Sequence, residues 1–310
     1  MLDSVLRRTP TDQTPERVLP IDRVRRLVWK LAIATLILMA IASATRVMNA
    51  GLACPDWPLC YGTLVPTQQM NLQVFLEWFH RLDASLIGLM AIALSAMCWW
   101  FRQELPRWLP GAATAALGLV VFQGVLGGLT VTQLLRFDIV TAHLGTALLF
   151  FITVLAISFA LMPYEGTGTA SKLRWVGLTG ALLVYCQSLL GGLVASQWAL
   201  HQCFGNQQLC TVMNSHIAGV VPPTLATLLL VFWAWRTPGL HPTLRQLAYF
   251  SGVLLTLQIA LGVATFYLHL QVEPLTVAHQ TIGATLLGTL VAFTVLAMRD
   301  VPRTQPLRAD

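Results

Sequence analysis

Long apolar stretches separated by short polar connections follow one another along most of the chain. They cover residues 27–48, 82–101, 111–131, 139–162, 174–196, 213–235, 246–268 and 275–298. Each stretch is long enough to cross a bilayer core of ~30 Å as a helix. The short in/out alternation that marks the strands of an outer-membrane barrel is missing from them. The pattern therefore predicts an all-α polytopic membrane protein with eight transmembrane helices.

The composition supports a membrane protein and excludes several other classes. Of the 310 residues, 56% are hydrophobic and 10% are charged, whereas soluble domains carry about 25% charged residues. This apolar content excludes a disordered or nucleic-acid-binding chain. The long polar leader argues against a cleavable signal peptide, and its four acidic residues argue against a mitochondrial transit peptide. We therefore expect a multi-pass protein of a bacterial plasma (inner) membrane, with lipid around its helices.

Basic residues are distributed unevenly between the two ends of these helices. All Lys and Arg residues except Arg46, Arg81 and Arg136 fall in the leader, in alternate connections or in the tail. Because positively charged flanks are retained on the cytoplasmic side, both termini are expected in the cytoplasm. The three remaining arginines then lie near the external face.

This orientation places two cysteine pairs in external loops. Cys54 and Cys60 lie in the first loop, in Cys-Pro-Asp-Trp-Pro-Leu-Cys, and Cys203 and Cys210 lie in the third. Both pairs face an oxidising compartment, so each is predicted to form a disulfide. Such a bond either staples its loop or serves as a redox-active pair.

Four histidines recur at equivalent positions, in the first turns of helices 2, 4, 6 and 8 or just before them. They are His80, His143, His216 and His279. A glutamine–glycine motif precedes the last three. Its copies are Gln123-Gly-Val-Leu-Gly-Gly128, Gln187-Ser-Leu-Leu-Gly-Gly192 and Gln258-Ile-Ala-Leu-Gly262. The first hairpin is looser, with Arg46 and Gly51 before its histidine.

The repeat of helical hairpins predicts two tandem pseudo-symmetric four-helix bundles. The expected divisions are a cytoplasmic leader (1–24), an N-terminal half (25–162), a cytoplasmic linker (163–173), a C-terminal half (174–298) and a cytoplasmic tail (299–310). Small-residue patches on the helices permit a homo-oligomer without specifying one.

An imidazole near hydrocarbon needs a partner, and two kinds of partner fit these histidines. They are either hydrogen-bonded packing residues or, two per half, the axial ligands of a haem iron. Zinc is disfavoured because its sites need three or four clustered ligands. The glycines of the preceding helices allow close approach of a flat macrocycle or of another helix. Arg46, Arg81 and Arg136 are candidate propionate partners, although interfacial snorkelling also explains them.

Glu77 precedes His80 by three residues, which places both on one face if that turn is helical. Its carboxylate is either favoured by the dipole of the helix N-terminus or, beside a haem, acts as a base or stabilises positive charge. Asp83 and Asp138 are expected to pair with Arg81 and Arg136.

Two segments carry a family resemblance: Gly51-Leu-Ala-Cys-Pro-Asp-Trp-Pro-Leu-Cys-Tyr-Gly62 and Glu77-Trp-Phe-His-Arg81. Together with the spaced histidines and the eight-helix tandem pattern, they resemble the haem A synthase family over approximately residues 25–298. The resemblance implies an oxidoreductase that oxidises the C8 methyl of haem O, through successive hydroxylations, to the formyl group of haem A for terminal oxidases.

The resemblance also implies a role for each half. His80 and His143 would ligate or flank the substrate haem, and His216 and His279 would ligate a haem b cofactor. Glu77 matches the catalytic carboxylate of the family. Cys54 and Cys60 match its first-loop cysteine pair. A farnesyltransferase that makes haem O and the assembly of a terminal oxidase are the implied partners.

Other functions remain open at this point. Two imidazoles on one iron leave no site for O₂, so the expected chemistry removes electrons from the macrocycle and lets water attack, with Glu77 stabilising the positive charge or taking a proton. A di-haem b-type electron-transfer cytochrome would use the same histidines without Glu77. A haem exporter and a quinone-linked thiol oxidoreductase are further alternatives. Haem farnesylation is disfavoured because the sequence has no paired Asp-rich motif for a magnesium diphosphate.

Overall fold

The structure, a computed structural model, describes residues 19–170, 172–195, 207–268 and 272–300. Within these ranges nine helices are present. They are α1 (Pro20–Val47), α2 (Leu72–Trp100), α3 (Leu109–Thr132), α4 (Phe137–Leu161), α5 (Leu173–Ala195), α6 (Gln207–Ala218), α7 (Val221–Arg236), α8 (Pro242–Tyr267) and α9 (Glu273–Arg299).

Eight segments are long and apolar enough to cross a membrane. Seven of them are single helices, and the remaining one, Thr211–Arg236, is made of most of α6 together with α7. The described ranges contain no strand, only an isolated bridge between Cys60 and Thr63. The prediction of an all-helical protein with eight candidate membrane spans is confirmed. The cytoplasmic location of both termini stays a prediction.

The sixth span is interrupted, where the sequence analysis expected one continuous helix over 213–235. Helix α6 ends at Ala218, and α7 begins at Val221 with Pro222 and Pro223 in its first turn. Proline lacks a backbone N–H and clashes with the preceding turn, so it is accepted at a helix start but not in its interior. The break places His216 in the last turn of α6.

Helix α2 begins well before the apolar stretch that predicted it. Asn71 caps its start, because the Asn71 side chain accepts a hydrogen bond from the Val74 N–H at 2.9 Å; such caps satisfy a donor that the helix leaves free. The first turns of α2, residues 72–81, are therefore helical although they lie outside the apolar stretch from which the helix was predicted. As a result Glu77, His80 and Arg81 all lie on a regular helix.

The helices pack in two rings that share a boundary. Helix α1 contacts α2 and α4, and α3 closes this ring by contacting α2 and α4; likewise α5 contacts α7 and α9, and α8 contacts both of these. The rings meet where α9 contacts α1 and α4 and where α4 contacts α5. The assignment of the two rings to separate domains stays a prediction.

Glycines lie at the contacts between the rings. A Cβ atom on Gly288 of α9 would lie 2.9 Å from Leu155 and 3.0 Å from Phe151 of α4. A Cβ atom on Gly145 of α4 would lie 2.8 Å from Leu189 of α5. In a bilayer, helices associate mainly through close packing, and small residues allow their backbones to approach. These glycines therefore determine how closely α4 packs against α5 and α9.

Candidate functional site

The four histidines are carried by four different helices: His80 by α2, His143 by α4, His216 by α6 and His279 by α9. Each ring of helices brings two of them together. His80 and His143 lie within electrostatic range of each other, and so do His216 and His279. The structure thus forms the two pairs that the spacing suggested, one in each ring.

The four histidines are half-buried, and three of them are incompletely hydrogen-bonded within the described part of the chain. Among the described residues, the buried Nδ1 atoms of His80, His143 and His279 have no hydrogen-bond partner. Buried polar atoms are normally paired, and a neutral imidazole nitrogen is a common metal ligand. The described residues contain no group of three His, Cys, Asp or Glu side chains that could hold a metal ion. The pairs therefore suit a metal whose other ligands come from outside the protein, as in a haem.

The glycines of the repeated motif make room for the histidines themselves. A Cβ atom on Gly191 would lie 3.0 Å from Cε1 of His216, and one on Gly262 would lie 2.9 Å from Cε1 of His279. The same contact recurs between Gly127 and His143, at 3.4 Å. From the sequence, these glycines were predicted to allow close approach of a macrocycle or of another helix. The structure shows that the imidazole of the next span occupies the space.

The second glycine of each double-glycine motif has a different neighbour. A Cβ atom on Gly128 would lie 3.2 Å from the indole of Trp57, in the first loop. A Cβ atom on Gly192 would lie 2.8 Å from Leu144 of α4. The contact of Trp57 with Gly128 packs the loop against α3. The contact of Leu144 with Gly192 is a helix–helix contact between the rings.

The first loop contains the disulfide predicted for it. Cys54 and Cys60 are bonded, with their Cα atoms 4.8 Å apart, and both are buried. The second predicted pair, Cys203 and Cys210, lies outside the described side chains, so its disulfide stays a prediction. Cys98 is a free, buried thiol.

Glu77 and Arg81 hold this loop against α2. The Glu77 side chain is buried, and its Oε2 accepts the Cys54 N–H at 2.8 Å. Its other oxygen forms an ion pair with Arg81. The Arg81 guanidinium also donates to the backbone carbonyl oxygens of Cys54, Asp56 and Leu59. A single ion pair on α2 therefore holds the loop at several points, one helical turn from His80.

One of the two expected arginine–aspartate pairs is wrong. Arg81 pairs with Glu77 rather than with Asp83, because residues four apart share a helix face whereas residues two apart do not. The other pair is confirmed: Arg136 Nη2 lies 2.6 Å from Asp138 Oδ2, and both side chains are largely exposed.

Asp56, which was not among the predicted site residues, holds the turn at residues 61 and 62 of the loop. Its carboxylate accepts the N–H groups of Tyr61 at 2.6 Å and Gly62 at 2.8 Å. These bonds, with Gly62 first, hold the pKa of Asp56 below its ordinary value of 3.8. The signal was present in the sequence, since aspartate near a glycine commonly closes a turn through its backbone.

Arg46 connects the first ring to the histidine-bearing helix of the second. It lies in the last turn of α1, and its Nη2 donates to Oε1 of Gln280, the residue after His279, at 3.1 Å. Of Arg46, Arg81 and Arg136, only Arg46 makes such a contact between the rings, within the described part of the chain. Propionate binding by Arg46, Arg81 and Arg136 stays a prediction.

The fold and site together define a class: a multi-pass membrane protein with two pairs of half-buried histidines that suit haem iron. Residues 25–291 match the model of the cytochrome oxidase assembly protein family, and the chain belongs to this family. This match, with the relatives described next, confirms the resemblance that the loop and α2 motifs carried.

Three relatives illustrate the similarity. The chain is 28% identical to the heme A synthase of Shewanella oneidensis, over 86% of this chain and 95% of that protein. It is 27% identical to the heme A synthase of Bacillus pumilus, over 81% of this chain and 87% of that protein. It is 28% identical to the heme A synthase of Caulobacter vibrioides, over 88% and 96%. Nearly the whole length of each relative is therefore represented in this chain.

Proposed function

We propose that this protein is a haem A synthase, an oxidoreductase that converts the C8 methyl group of haem O into the formyl group of haem A. The observation that carries the proposal is one pair of half-buried imidazoles in each ring, with a buried carboxylate one helical turn from His80. The similarity to named heme A synthases over most of the chain supports the same reaction. The proposed setting is a bacterial inner membrane, with both pairs near the external face.

The residues fit a haem in each pair. The Nδ1 atoms of His80, His143 and His279 have no hydrogen-bond partner within the described ranges. His216 and His279 would hold a haem b cofactor in the half formed by 174–298. When bound, this cofactor supplies one-electron redox chemistry. His80 and His143 would hold the substrate haem O in the half formed by 25–162.

The proposed reaction needs an electron acceptor and a base but no bound O₂. Conversion of a methyl to a formyl group with water as the oxygen source takes up one H₂O and releases four protons and four electrons. The Glu77 carboxylate, ion-paired with Arg81, would stabilise positive charge that develops at the methyl carbon or accept a proton from the attacking water. The four electrons would pass one at a time to an electron acceptor outside this protein, and the haem b held by His216 and His279 would supply the one-electron chemistry for this transfer.

We assign the Cys54–Cys60 disulfide a structural role. Both backbone groups of Cys54 are engaged, its N–H by Glu77 and its carbonyl oxygen by Arg81. The bond closes the loop that these two side chains hold against α2. Stapling the loop keeps Glu77 in a defined place, which a group that acts on a substrate requires.

Replacing Glu77 by glutamine tests its catalytic role. Glu77→Gln keeps the side-chain shape and an acceptor for the Cys54 N–H but removes the charge. We expect unchanged haem B content and a loss of haem A formation of roughly 10²-fold or more, the usual size for a positioned acid–base group. Haems extracted from the purified protein and separated by chromatography give both quantities.

Glu104→Gln is the matched control, because Glu104 is an exposed acid in the connection between α2 and α3. It is expected to leave haem A formation unchanged. Thiol labelling of Glu77→Gln verifies that the disulfide is intact. Unaltered haem A output from Glu77→Gln would reject the role of Glu77.

The bound haems of the purified protein test the function as a whole. We expect haem B together with haem O, a hydroxylated intermediate or haem A. Haem B alone, with no conversion of added haem O, would identify an electron-transfer cytochrome instead. If the purified protein contains no haem, both the synthase and the electron-transfer cytochrome are wrong.

A further inference from the structure

Arg46, Arg81 and Arg136 differ in how their positive charges are balanced. Arg81 forms an ion pair with Glu77 and also donates to backbone carbonyl oxygens of the first loop. Arg136 forms an ion pair with Asp138. The charges of these two arginines are therefore already balanced by side chains of the protein.

Arg46 forms no ion pair within the described ranges. It is half-buried in the last turn of α1, and its Nη2 donates to the neutral side-chain oxygen of Gln280 on α9 at 3.1 Å. The dipole at the end of α1 favours a cation there, but neither a dipole nor an amide neutralises a full charge. A charged side chain within a membrane helix normally has a partner of opposite charge. Because a guanidinium has five N–H donors, Arg46 can still bind an anion that comes from outside the chain.

Thr276 provides a second polar group on α9 that lacks a partner. Four other threonines of this helix donate their hydroxyl to the carbonyl oxygen four residues earlier; they are Thr281, Thr285, Thr289 and Thr294. Thr276 lies in the first turn of α9, and its buried Oγ1 has no hydrogen-bond partner within the described part of the chain. Buried hydroxyl groups are normally paired, so this one is available to a bound group.

The helical repeat of α9 places Thr276 beside the histidine and beside the contact of Arg46. Residues three and four apart share a helix face, so Thr276 lies on the same face as His279 and Gln280, one turn nearer the start of α9. Gln280 in turn holds the guanidinium of Arg46, which comes from α1 in the first ring. A carboxylate accepts hydrogen bonds from both a hydroxyl and a guanidinium.

We propose that Arg46 and Thr276 form a carboxylate-binding site between the two rings, and that a propionate of the haem held by His216 and His279 occupies it. This inference rests on the proposed function, because it takes these two histidines as iron ligands. Both haems of the proposed reaction carry propionates, but Thr276 and His279 share a face of one helix, which favours the cofactor haem. The first ring would thus contribute a charge to the cofactor site of the second.

Glu273 is the alternative partner for Arg46. It is exposed at the start of α9 and lies seven residues, about two turns, before Gln280. No ion pair joins Glu273 to Arg46 in the described ranges. The proposal therefore expects Glu273→Gln to leave the recognition of a propionate unchanged.

Esterified haem tests whether Arg46 recognises a propionate. The full-length protein is purified without haem in a His80→Ala background, in which only the second pair can give iron two histidine ligands, and is titrated with haem B and with its dimethyl ester. We expect the ratio of the two dissociation constants to fall at least tenfold in Arg46→Met, the usual size for a charge-assisted hydrogen bond. Arg46→Lys keeps the charge and should retain part of the preference. Arg102→Met, which removes an exposed cation just beyond the end of α2, is the control and should retain all of it.

Threonine variants of the haem-loaded protein form an independent test. Thr276→Val removes the hydroxyl at similar volume, and we expect haem B to transfer to apomyoglobin roughly three- to tenfold faster, as for the loss of one hydrogen bond to a charged group. Thr276→Ser keeps the hydroxyl and should match the wild type. Thr281→Val makes the same change at a threonine that donates to the Val277 carbonyl oxygen. It is the matched control and should leave haem loss unchanged.

The outcomes separate this inference from the proposed function. Wild-type protein that binds no haem B would defeat both. Haem B binding with the same ratio of dissociation constants in Arg46→Met and in its parent would overturn this inference alone, and so would equal haem loss in Thr276→Val and Thr281→Val. A preference that depends on Arg46 only in a His279→Ala background, where the first pair alone supplies two ligands, would overturn the assignment to the cofactor and place the substrate propionate at Arg46.

Discussion

Asp56 acts on the first loop through two backbone hydrogen bonds. Its carboxylate receives the N–H groups of Tyr61 and Gly62, and Gly62 has a φ of 70°, which costs glycine little. The bonds favour the charged form, so the pKa is lowered. A group with a lowered pKa stabilises the fold above its ordinary pKa, and this contribution is lost as the pH falls through the lowered value.

The rate of disulfide reduction by a phosphine provides the measurement for Asp56. In the wild type, we expect the hydrogen bonds of Asp56 to slow reduction of the disulfide from neutral pH down to the ordinary pKa of 3.8. At lower pH they should slow it less. In Asp56→Asn, the disulfide should be reduced several-fold faster than in the wild type at neutral pH, and its reduction rate should not change through this acid range. Asp83→Asn, which changes an acid of α2 outside the loop, should behave like the wild type. Identical pH profiles for Asp56→Asn and the wild type would show that the carboxylate does not anchor the loop.

At the residue scale, the sequence indicated which residues are candidates for function, but it did not indicate several of their contact partners. Histidine, cysteine and glutamate near hydrocarbon are unusual enough to stand out in the sequence. The partner of Arg81 was predicted wrongly, because Asp83 and Glu77 are both close to it in sequence and only the helical start of α2 decides between them.

At the scale of elements, α2 and the disulfide loop form one unit through Arg81. Its planar guanidinium donates to three loop carbonyl oxygens and to Glu77. Lysine carries a compact charge with no such fork. Arg81→Lys should therefore keep the charge and lose most of the hydrogen bonds.

Hydrogen exchange measures this coupling. Loss of a charge-assisted hydrogen bond costs about 2 kcal/mol, which corresponds to a factor of about 30 in the opening equilibrium. In Arg81→Lys, we expect exchange in residues 54–62 to accelerate by about this factor, while exchange in α8 stays as in the wild type. Equal exchange in both proteins would mean that the disulfide alone holds the loop.

The lengths of the elements show where hydropathy is insufficient. Hydropathy locates the apolar stretch of α2 but not the capped turns before it, since those turns are stabilised by Asn71 and by the ion pair of Glu77 with Arg81. The break between α6 and α7 was visible in the sequence as Pro222-Pro223. An apolar average does not register that proline lacks a backbone donor.

At the scale of the whole molecule, the two rings meet across closely packed glycines. Gly288→Leu would place a side chain against Leu155 and Phe151, where a Cβ alone would come within 3.0 Å. We expect destabilisation of about 1–3 kcal/mol from overpacking, seen as a lower thermal midpoint in detergent. Gly118→Leu is the control, since a Cβ at Gly118 meets nothing within 4 Å. Equal midpoints for the two variants would argue against close packing of α4 on α9.

The sequence by itself determined the number of candidate spans, the cysteine pair of the first loop and the spacing of the four histidines. Each of these depends on local properties: the apolar length needed to cross a bilayer, the closeness of two cysteines along the chain, and a repeat of similar hairpins. They can be recognised without knowing how any helix packs against another.

Only the tertiary structure decided which atoms meet. The imidazoles lie over Gly191 and Gly262, Trp57 lies on Gly128, and Arg46 reaches Gln280 in the other ring. These residues are separated by between 17 and 234 positions in the chain. Their contacts depend on the separation, rotation and depth of packed helices, and a periodic apolar pattern contains little information on any of the three because lipid-facing and protein-facing sides of a membrane helix are both apolar.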